Sequence, residues 1–152
     1  MRWSDIEHGV WTIPAEPREK GNAGALALPD IARQIIDAQP RFDSNPFVFA
    51  AGRGHGQIIG FSKGKSRLDR ASGVTGWTVH DLRRSARSLM SRAGVSSEQA
   101  ERVMGHAQGI YDRHSYFDEK ADALTRLAAL IDGIVHPRSA DVLPLAKRRR
   151  RE

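Results

Sequence analysis

Residues 77–90 read Trp77-Thr78-Val79-His80-Asp81-Leu82-Arg83-Arg84-Ser85-Ala86-Arg87-Ser88-Leu89-Met90. With about 100° of rotation per residue, the apolar side chains of this stretch fall in one contiguous arc. That arc comprises Val79, Leu82, Ala86, Leu89, Met90 and, just beyond the stretch, Ala93. The periodicity predicts an amphipathic helix that buries this arc and begins at Thr78, a residue type that favours the N-cap position.

A basic arc adjoins the apolar one and contains one histidine and three arginines: His80, Arg83, Arg84 and Arg87. His80 and Arg83 are three residues apart on the predicted helix, so both side chains can reach one anion. A solvated basic surface is the ordinary interpretation of such a face. A phosphate site is the other, because histidine and arginine cluster at the start of the helix. The helix alone leaves both interpretations open.

A second basic segment precedes this helix. Residues 62–71 predict a helix that offers four cations to the phosphates of a DNA backbone: Lys63, Lys65, Arg67 and Arg70. Residues 60–66 superficially resemble a nucleotide phosphate-binding loop. However, only three residues separate Gly60 from Gly64, one fewer than that motif needs, and this spacing argues against ATP or GTP binding.

The flanking patterns predict strands before the central helix and further helices after it. Residues 10–13 and 25–28 read as a hairpin with Lys20 at or near its tip, and residues 30–38 as a helix that buries Ile31, Ile35 and Ile36. After Gly94, residues 96–99 fit a capping box that opens a short helix to Met104, and Gly105-His106 follows. A long amphipathic helix begins at Asp118. The predicted fold class is mainly α with a small antiparallel β-sheet, and the helix–turn–helix order also fits a DNA-reading module.

Composition limits the class of protein. The 152-residue chain has no cysteine, which excludes disulfides and thiolate metal sites, and its formal net charge is +6. Residues 137–152 hold six basic and two acidic residues, so they contribute +4 and the rest of the chain +2. We expect one domain over residues 1–136 and a basic, disordered tail over residues 137–152. No apolar run is long enough to span a bilayer and no signal peptide is recognisable, so we expect a cytoplasmic protein.

Several segments together have a familiar order. They are Trp3-Ser4-Asp5-Ile6, Leu26-Ala27-Leu28-Pro29, His80-Asp81-Leu82-Arg83-Arg84, Val103-Met104-Gly105-His106 and Tyr111-Asp112-Arg113-His114-Ser115-Tyr116. This order, with Lys20 on an upstream hairpin, resembles the catalytic domain of the tyrosine recombinases, the phage integrase family. The resemblance extends from Arg2 to about Val135 and implies a tyrosine-recombinase catalytic-domain-like fold.

The resemblance implies site-specific recombination and integration of double-stranded DNA in a bacterial, nucleoid-associated setting, without metal or cofactor. Tyr111 would attack the scissile phosphodiester and form a 3′-phosphotyrosine, while Arg83 holds the non-bridging oxygens. His80 and His106 would donate hydrogen bonds to these oxygens or shuttle protons, and Lys20 would protonate the leaving 5′-oxygen. Four further cations would contact the DNA: Arg84, Arg87, Lys63 and Lys65.

Two features depart from the family pattern. The family has a further catalytic arginine on a helix before the segment that Trp3-Ser4-Asp5-Ile6 matches, and this sequence does not include that helix. We expect the loss of one phosphate clamp to slow cleavage by about a hundredfold or more. In addition, Tyr111 follows His106 by five residues, whereas Tyr116 follows it by ten. Both tyrosines remain candidate nucleophiles, with Tyr111 favoured by its Tyr-Asp-Arg-His context.

Other functions and partners also fit the sequence. One alternative is a non-catalytic DNA-binding remnant of an integrase, and another is a type IB topoisomerase, which the local motifs favour less. The family implies homo-oligomers, with a synaptic tetramer in its full-length members. We expect association through one apolar face of the last helix, formed by Leu124, Leu127, Ala128, Ile131 and Ile134. The histidines lack zinc-like spacing, so no metal site is predicted.

Overall fold

The computed structural model of the chain describes residues 1–14, 24–52, 54–105 and 115–137. Within these ranges a short 3-10 turn, Trp3–Asp5, is followed by three strands: β1 (Ile6–Glu7), β2 (Val10–Ile13) and β3 (Gly24–Ala27). The helices are α1 (Asp30–Asp37), α2 (Phe61–Ser72), α3 (Val79–Arg92), α4 (Ser97–Val103) and α5 (Phe117–Val135). The prediction of a helical fold with a small antiparallel sheet is confirmed at this level.

The three strands form one antiparallel sheet in the order β1-β2-β3. Trp11 in the middle strand pairs with Ile6 on one side and with Leu26 on the other. The two predicted hairpin strands are confirmed, with β3 beginning and ending one residue earlier than expected. The third strand, β1, supplies the additional partner that a two-stranded hairpin needs for stability. Lys20 and the predicted hairpin tip lie outside the described residues.

The hydrophobic core lies where α3, α4 and α5 meet. Met90, Ala100 and Ala123, one from each helix, are at most 1% exposed. Val95 and Leu127 complete this buried cluster, and Ala86, Leu89 and Ile131 pack against it. Because α5 also contacts α1 and β3, this one helix connects the sheet to the helical core.

Both helix caps predicted for the core helices are present. At the start of α3, the backbone N–H and the hydroxyl of Thr78 each donate to Asp81 Oδ2, at 2.8 Å. At the start of α4, the backbone N–H of Gln99 donates to Ser96 Oγ at 3.2 Å, and the Gln99 side chain accepts from Ser96 in return. These reciprocal bonds satisfy backbone donors that the helix itself leaves unpaired. They fix where both helices begin.

The predicted burial of α3 is wrong over its first turns. Val79 and Leu82 are 47% and 57% exposed, although both belong to the apolar arc. The part of α3 that packs in the core begins at Ala86. Both α4 and α5 contact α3, but within the described residues the core that they form with it does not extend to its first turns.

An open groove of about 970 Å³ lies beside these exposed turns. It is lined by α2, by the residues just before α2 and by Trp77, Val79 and Leu82. Its apolar side chains are largely exposed, and α2 has no buried residue. The predicted helix over residues 62–71 is therefore present, but it lies outside the core.

The burial of two further helix faces bears on the predictions, and that of α1 corrects one. Ile35 of α1 is 54% exposed, whereas Ile36 is buried, because neighbouring residues on a two-turn helix face different directions. On α5, the face assigned to self-association is largely packed inside the molecule. Leu127 is buried, and only the end of that face is open, with Ile134 51% exposed. No helix in the described ranges is long and apolar enough to cross a membrane.

Candidate functional site

Arg83 connects two helices. It lies on the second turn of α3, and its guanidinium Nη2 donates a hydrogen bond to the backbone carbonyl of Met104, the residue that ends α4. Carbonyls at the end of a helix have no partner within the helix, so a side-chain donor from a neighbouring helix satisfies this one. The bond places the predicted phosphate-binding arginine next to Gly105, the residue that precedes His106.

Tyr116 lies at the start of α5 and contacts the other side of the α4 end. The guanidinium carbon of Arg102 is 3.4 Å from the centroid of the Tyr116 ring, a cation–π contact. Arg102 is also held by Glu98, at 2.7 Å between Nη2 and Oε1. Tyr116 has a φ of 48°, a left-handed conformation that is uncommon for a bulky residue. These contacts fix the orientation of the ring.

Lys120 extends this cluster towards the sheet. It lies four residues after Tyr116 on α5, and its backbone N–H donates to the Tyr116 carbonyl at 3.0 Å. A Cβ built on Gly24, the first residue of β3, would lie 3.7 Å from Lys120 Nζ. Burial lowers the pKa of the Lys120 ammonium, because a less hydrated environment disfavours its charged form. We call the set Arg83, Arg102, Met104, Tyr116 and Lys120 the α4–α5 junction.

Sequence reasoning missed Arg102 and Lys120 as members of this site. The spacing of Lys120 was an available signal, since residues four apart on a helix share one face and Tyr116 was already a candidate. Arg102 had no comparable signal, because its contact with Tyr116 joins two helices.

His80 lies in the first turn of α3, three residues before Arg83, as predicted. It is exposed and makes no hydrogen bond with any described residue. The side chain is therefore accessible to a ligand that binds beside Arg83.

The cations that were predicted to contact DNA differ in whether they already form an ion pair with a carboxylate of the protein. Arg87 joins α3 to α4, with Nε 2.8 Å from Glu101 Oε1 and Nη2 2.7 Å from Ser97 Oγ. Arg84 forms an exposed ion pair with Asp81 at 3.1 Å. Arg87 thus stabilises the fold, and its charge is less available to DNA than the sequence pattern indicates.

The same contrast occurs on α2. Lys65 Nζ lies 2.6 Å from Asp69 Oδ2 and 5.0 Å from the centre of the Trp77 ring. Lys63, two residues earlier on α2 and exposed, has no ion pair among the residues with described positions. Of these two lysines, Lys63 is the one with an uncompensated charge.

Three predicted catalytic residues, Lys20, His106 and Tyr111, lie outside the described residues. Lys20 belongs to the segment that ends at Gly24, and His106 and Tyr111 belong to the segment between Gly105 and Ser115. Described residues next to these segments make three separate contacts: Lys120 lies beside Gly24, Arg83 donates to Met104, and the Tyr116 ring contacts Arg102.

Among the histidine and carboxylate side chains in the described ranges, no group of three or more converges to hold a metal ion. The side chains of the junction residues carry two guanidiniums, an ammonium and a phenol, on Arg83, Arg102, Lys120 and Tyr116. Such groups bind and orient an anion and exchange protons with it.

No family model, no curated protein and no solved structure matches the chain. What the chain does must therefore be inferred from its own residues and their arrangement.

Proposed function

We propose that this chain cuts and rejoins double-stranded DNA through a tyrosine nucleophile, as the catalytic part of a site-specific recombinase. The observation that supports this proposal best is the hydrogen bond from Arg83 to the Met104 carbonyl. It brings the helix with His80 and Arg83 against the point where the chain continues into Gly105-His106 and the tyrosine segment.

The proposed reaction needs no cofactor. The phenolic oxygen of Tyr111 attacks the phosphorus and its proton passes to a histidine, while the bond from phosphorus to the 5′-oxygen breaks. The product is a 3′-phosphotyrosine and a 5′-hydroxyl, and a lysine ammonium supplies the proton of that hydroxyl. The resemblance gives this duty to Lys20. Attack by a 5′-hydroxyl reverses each step and rejoins the strand.

The guanidinium of Arg83 provides charge stabilisation in this proposal. Negative charge builds up on the non-bridging oxygens of the phosphate, and a planar guanidinium can donate two parallel hydrogen bonds to them. One of its donors is bound to the Met104 carbonyl, and His80 lies three residues earlier on the same exposed helix start.

The exposed cations of α2 support a second candidate function, non-catalytic DNA binding. Lys63, Arg67 and Arg70 are exposed and form no ion pair with other described residues. Such charges bind backbone phosphates without reading sequence. This candidate requires neither tyrosine.

A cleavage experiment separates the two candidates. The chain is incubated with a pool of random duplexes that carry single-strand nicks, so that a released 5′-hydroxyl fragment diffuses away and a covalent adduct accumulates. We expect a protein–DNA adduct on a denaturing gel that is lost in Tyr111→Phe and Arg83→Ala and kept in Tyr116→Phe. Salt-sensitive DNA binding with no adduct in any variant, wild type included, would reject the recombinase proposal in favour of binding alone.

A further inference from the structure

The groove beside α2 exposes a cluster of apolar side chains. It has a volume of about 970 Å³ and is formed by α2, the residues just before it and the start of α3. Six large apolar residues line it and are 47–78% exposed: Ile58, Ile59, Phe61, Leu68, Val79 and Leu82. Apolar side chains that are grouped in one exposed concavity mark a site of interaction with another molecule.

The walls of this groove are held by hydrogen bonds. Before α2, the backbone N–H of Ile58 donates to the carbonyl of Phe49 at 2.9 Å. Before α3, the indole N–H of Trp77 donates to the carbonyl of Val74 at 3.2 Å. Because these bonds hold the lining segments without a ligand, the free-energy cost of ordering the groove when a partner binds is small.

The charged residues that line the groove are all basic. They are Lys63, Lys65, Arg67 and Arg70 of α2, and no carboxylate belongs to the lining in the described part of the chain. Among the described residues, only Lys65 of this set has an ion-pair partner, Asp69. The first turn of α2 contains no acidic residue, so the positive end of the helix dipole adds to the same field. The groove is therefore complementary to a negatively charged partner.

An apolar groove bordered by cations fits an amphipathic helix that has acidic residues beside its apolar face. A second copy of the chain fits less well, because each copy has a formal net charge of +6. Nucleic acid matches the cations but not the apolar lining. Five of the six exposed apolar side chains are aliphatic, whereas nucleobases stack on aromatic rings.

We propose that the groove between α2 and the start of α3 binds an acidic amphipathic helix of another protein. Apolar residues at positions i, i+4 and i+7 of that helix would contact Ile59, Phe61 and Leu68, and its carboxylates would pair with Lys63 and Arg67. This interaction is independent of strand cleavage. A partner bound here would cover cations of α2 that DNA would otherwise contact.

Selection from a displayed library of random peptides of about 15 residues, the length at which isolated helices begin to form, tests this proposal. The wild-type chain is the bait, and peptides that also bind Ile59→Ser are removed, because Ile59 is the most exposed of the apolar lining residues. We expect the enriched peptides to share apolar residues at helical spacing, flanked by more aspartate and glutamate than lysine and arginine.

The enriched sequence is then synthesised with a fluorescent label, and its affinity for each variant is measured by anisotropy. Ile59→Ser should weaken binding by about tenfold or more, because an apolar contact is lost. Lys63→Gln should weaken it by about two- to fivefold, the effect of one exposed ion pair. Two matched controls outside the groove, Ile134→Ser and Arg92→Gln, should bind like the wild type. The urea midpoint of Ile59→Ser should equal that of the wild type, since the side chain is exposed.

Other outcomes would overturn the proposal. If no peptide is enriched, or if Ile134→Ser weakens binding as much as Ile59→Ser, the groove is not the docking surface. If the enriched peptides carry basic flanks, the charge argument is wrong. If sedimentation shows a wild-type dimer that Ile59→Ser dissociates, the occupant is a second copy. If Ile59→Ser instead loses affinity for single-stranded or duplex DNA and no peptide is enriched, the groove belongs to nucleic acid.

Discussion

Arg83 illustrates how one side chain can combine a structural and a chemical role. Its hydrogen bond to Met104 holds the end of α4, and in the proposed function the same guanidinium also binds the scissile phosphate. Lysine keeps the charge but not the planar fork, and the two roles can therefore be separated by substitution.

We expect Arg83→Lys to lower the rate of DNA adduct formation by about a hundredfold, because bidentate stabilisation of the phosphate is lost. The free energy of unfolding should fall by only about 1 kcal/mol, the usual net value of one hydrogen bond. Rates of adduct formation and urea unfolding curves measure the two effects. Arg84→Lys, which changes an exposed neighbour on the same helix, should leave both close to the wild-type values. Equal effects of the two substitutions would contradict a special role for Arg83.

Asp81 gives a prediction about pH at the scale of a single residue. Hydrogen bonds from the backbone N–H and the hydroxyl of Thr78, with a smaller contribution from Arg84, lower the pKa of this carboxyl below its usual 3.8. Because the folded-state pKa is the lower one, the ionised carboxylate stabilises the fold above about pH 4, and this stabilisation is lost as the pH falls through the folded-state value.

Asp81→Asn should therefore lower the melting temperature at pH 6, and its deficit relative to the wild type should shrink as the pH is lowered towards 2. Melting curves across this range measure the difference. Asp43→Asn is the control, because Asp43 is an exposed carboxylate that accepts no hydrogen bond from the described side chains or backbone. A deficit of Asp81→Asn that is the same at every pH would rule out the carboxylate as its source.

At the scale of helices and strands, most boundaries could be predicted from local chemistry. Thr78 and Ser96 are capping residues, Pro29 precedes α1, and both caps predicted for α3 and α4 are observed. The extent to which each helix face is buried could be predicted less well than the helix boundaries. Periodicity identifies an apolar arc, but it does not reveal how far along the helix the core extends, and for that reason the exposure of Val79 and Leu82 was missed.

Because some apolar residues are buried in the core and others are exposed, we expect two leucine-to-alanine substitutions to have unequal effects on stability. Leu127 of α5 is 8% exposed and belongs to the core cluster, whereas Leu68 of α2 is 51% exposed beside the open groove. Leu127→Ala should lower the free energy of unfolding by about 2–5 kcal/mol, the range for buried leucines. Leu68→Ala should change it by about 0.5 kcal/mol or less. Urea denaturation measures both. A large loss for Leu68→Ala would mean that the groove is closed in solution.

At the scale of the whole molecule, the candidate site could be predicted in part from the sequence. The motifs identified His80 and Arg83 correctly as neighbours at the start of a helix. They did not reveal that Arg87 is paired with Glu101, because an ion pair between two helices depends on packing, whereas the pair of Lys65 with Asp69 joins residues four apart on α2 and could have been predicted from their spacing. Self-association and DNA binding remain predictions, and DNA binding has a direct thermodynamic test.

Lys63 and Lys65 form a matched pair for that test, since they are two residues apart on α2 and only Lys65 is ion-paired. Each phosphate contact that is lost reduces the slope of log K against log salt concentration by about 1. We expect Lys63→Ala to reduce the slope by about this amount and Lys65→Ala to reduce it less. Fluorescence anisotropy with a labelled duplex at several salt concentrations measures the slopes. Identical slopes for both variants and the wild type would exclude α2 from the DNA interface.

The central claim is that a tyrosine of this chain becomes covalently linked to DNA, and mass spectrometry of a tryptic digest after incubation with nicked duplexes tests it most directly. Cleavage after Arg102, Arg113 and Lys120 places Tyr111 and Tyr116, the only two tyrosines, in separate peptides, residues 103–113 and 114–120. We predict that the DNA-linked peptide is residues 103–113. A DNA adduct on residues 114–120 would transfer the nucleophile role to Tyr116. DNA binding without either adduct would contradict the claim.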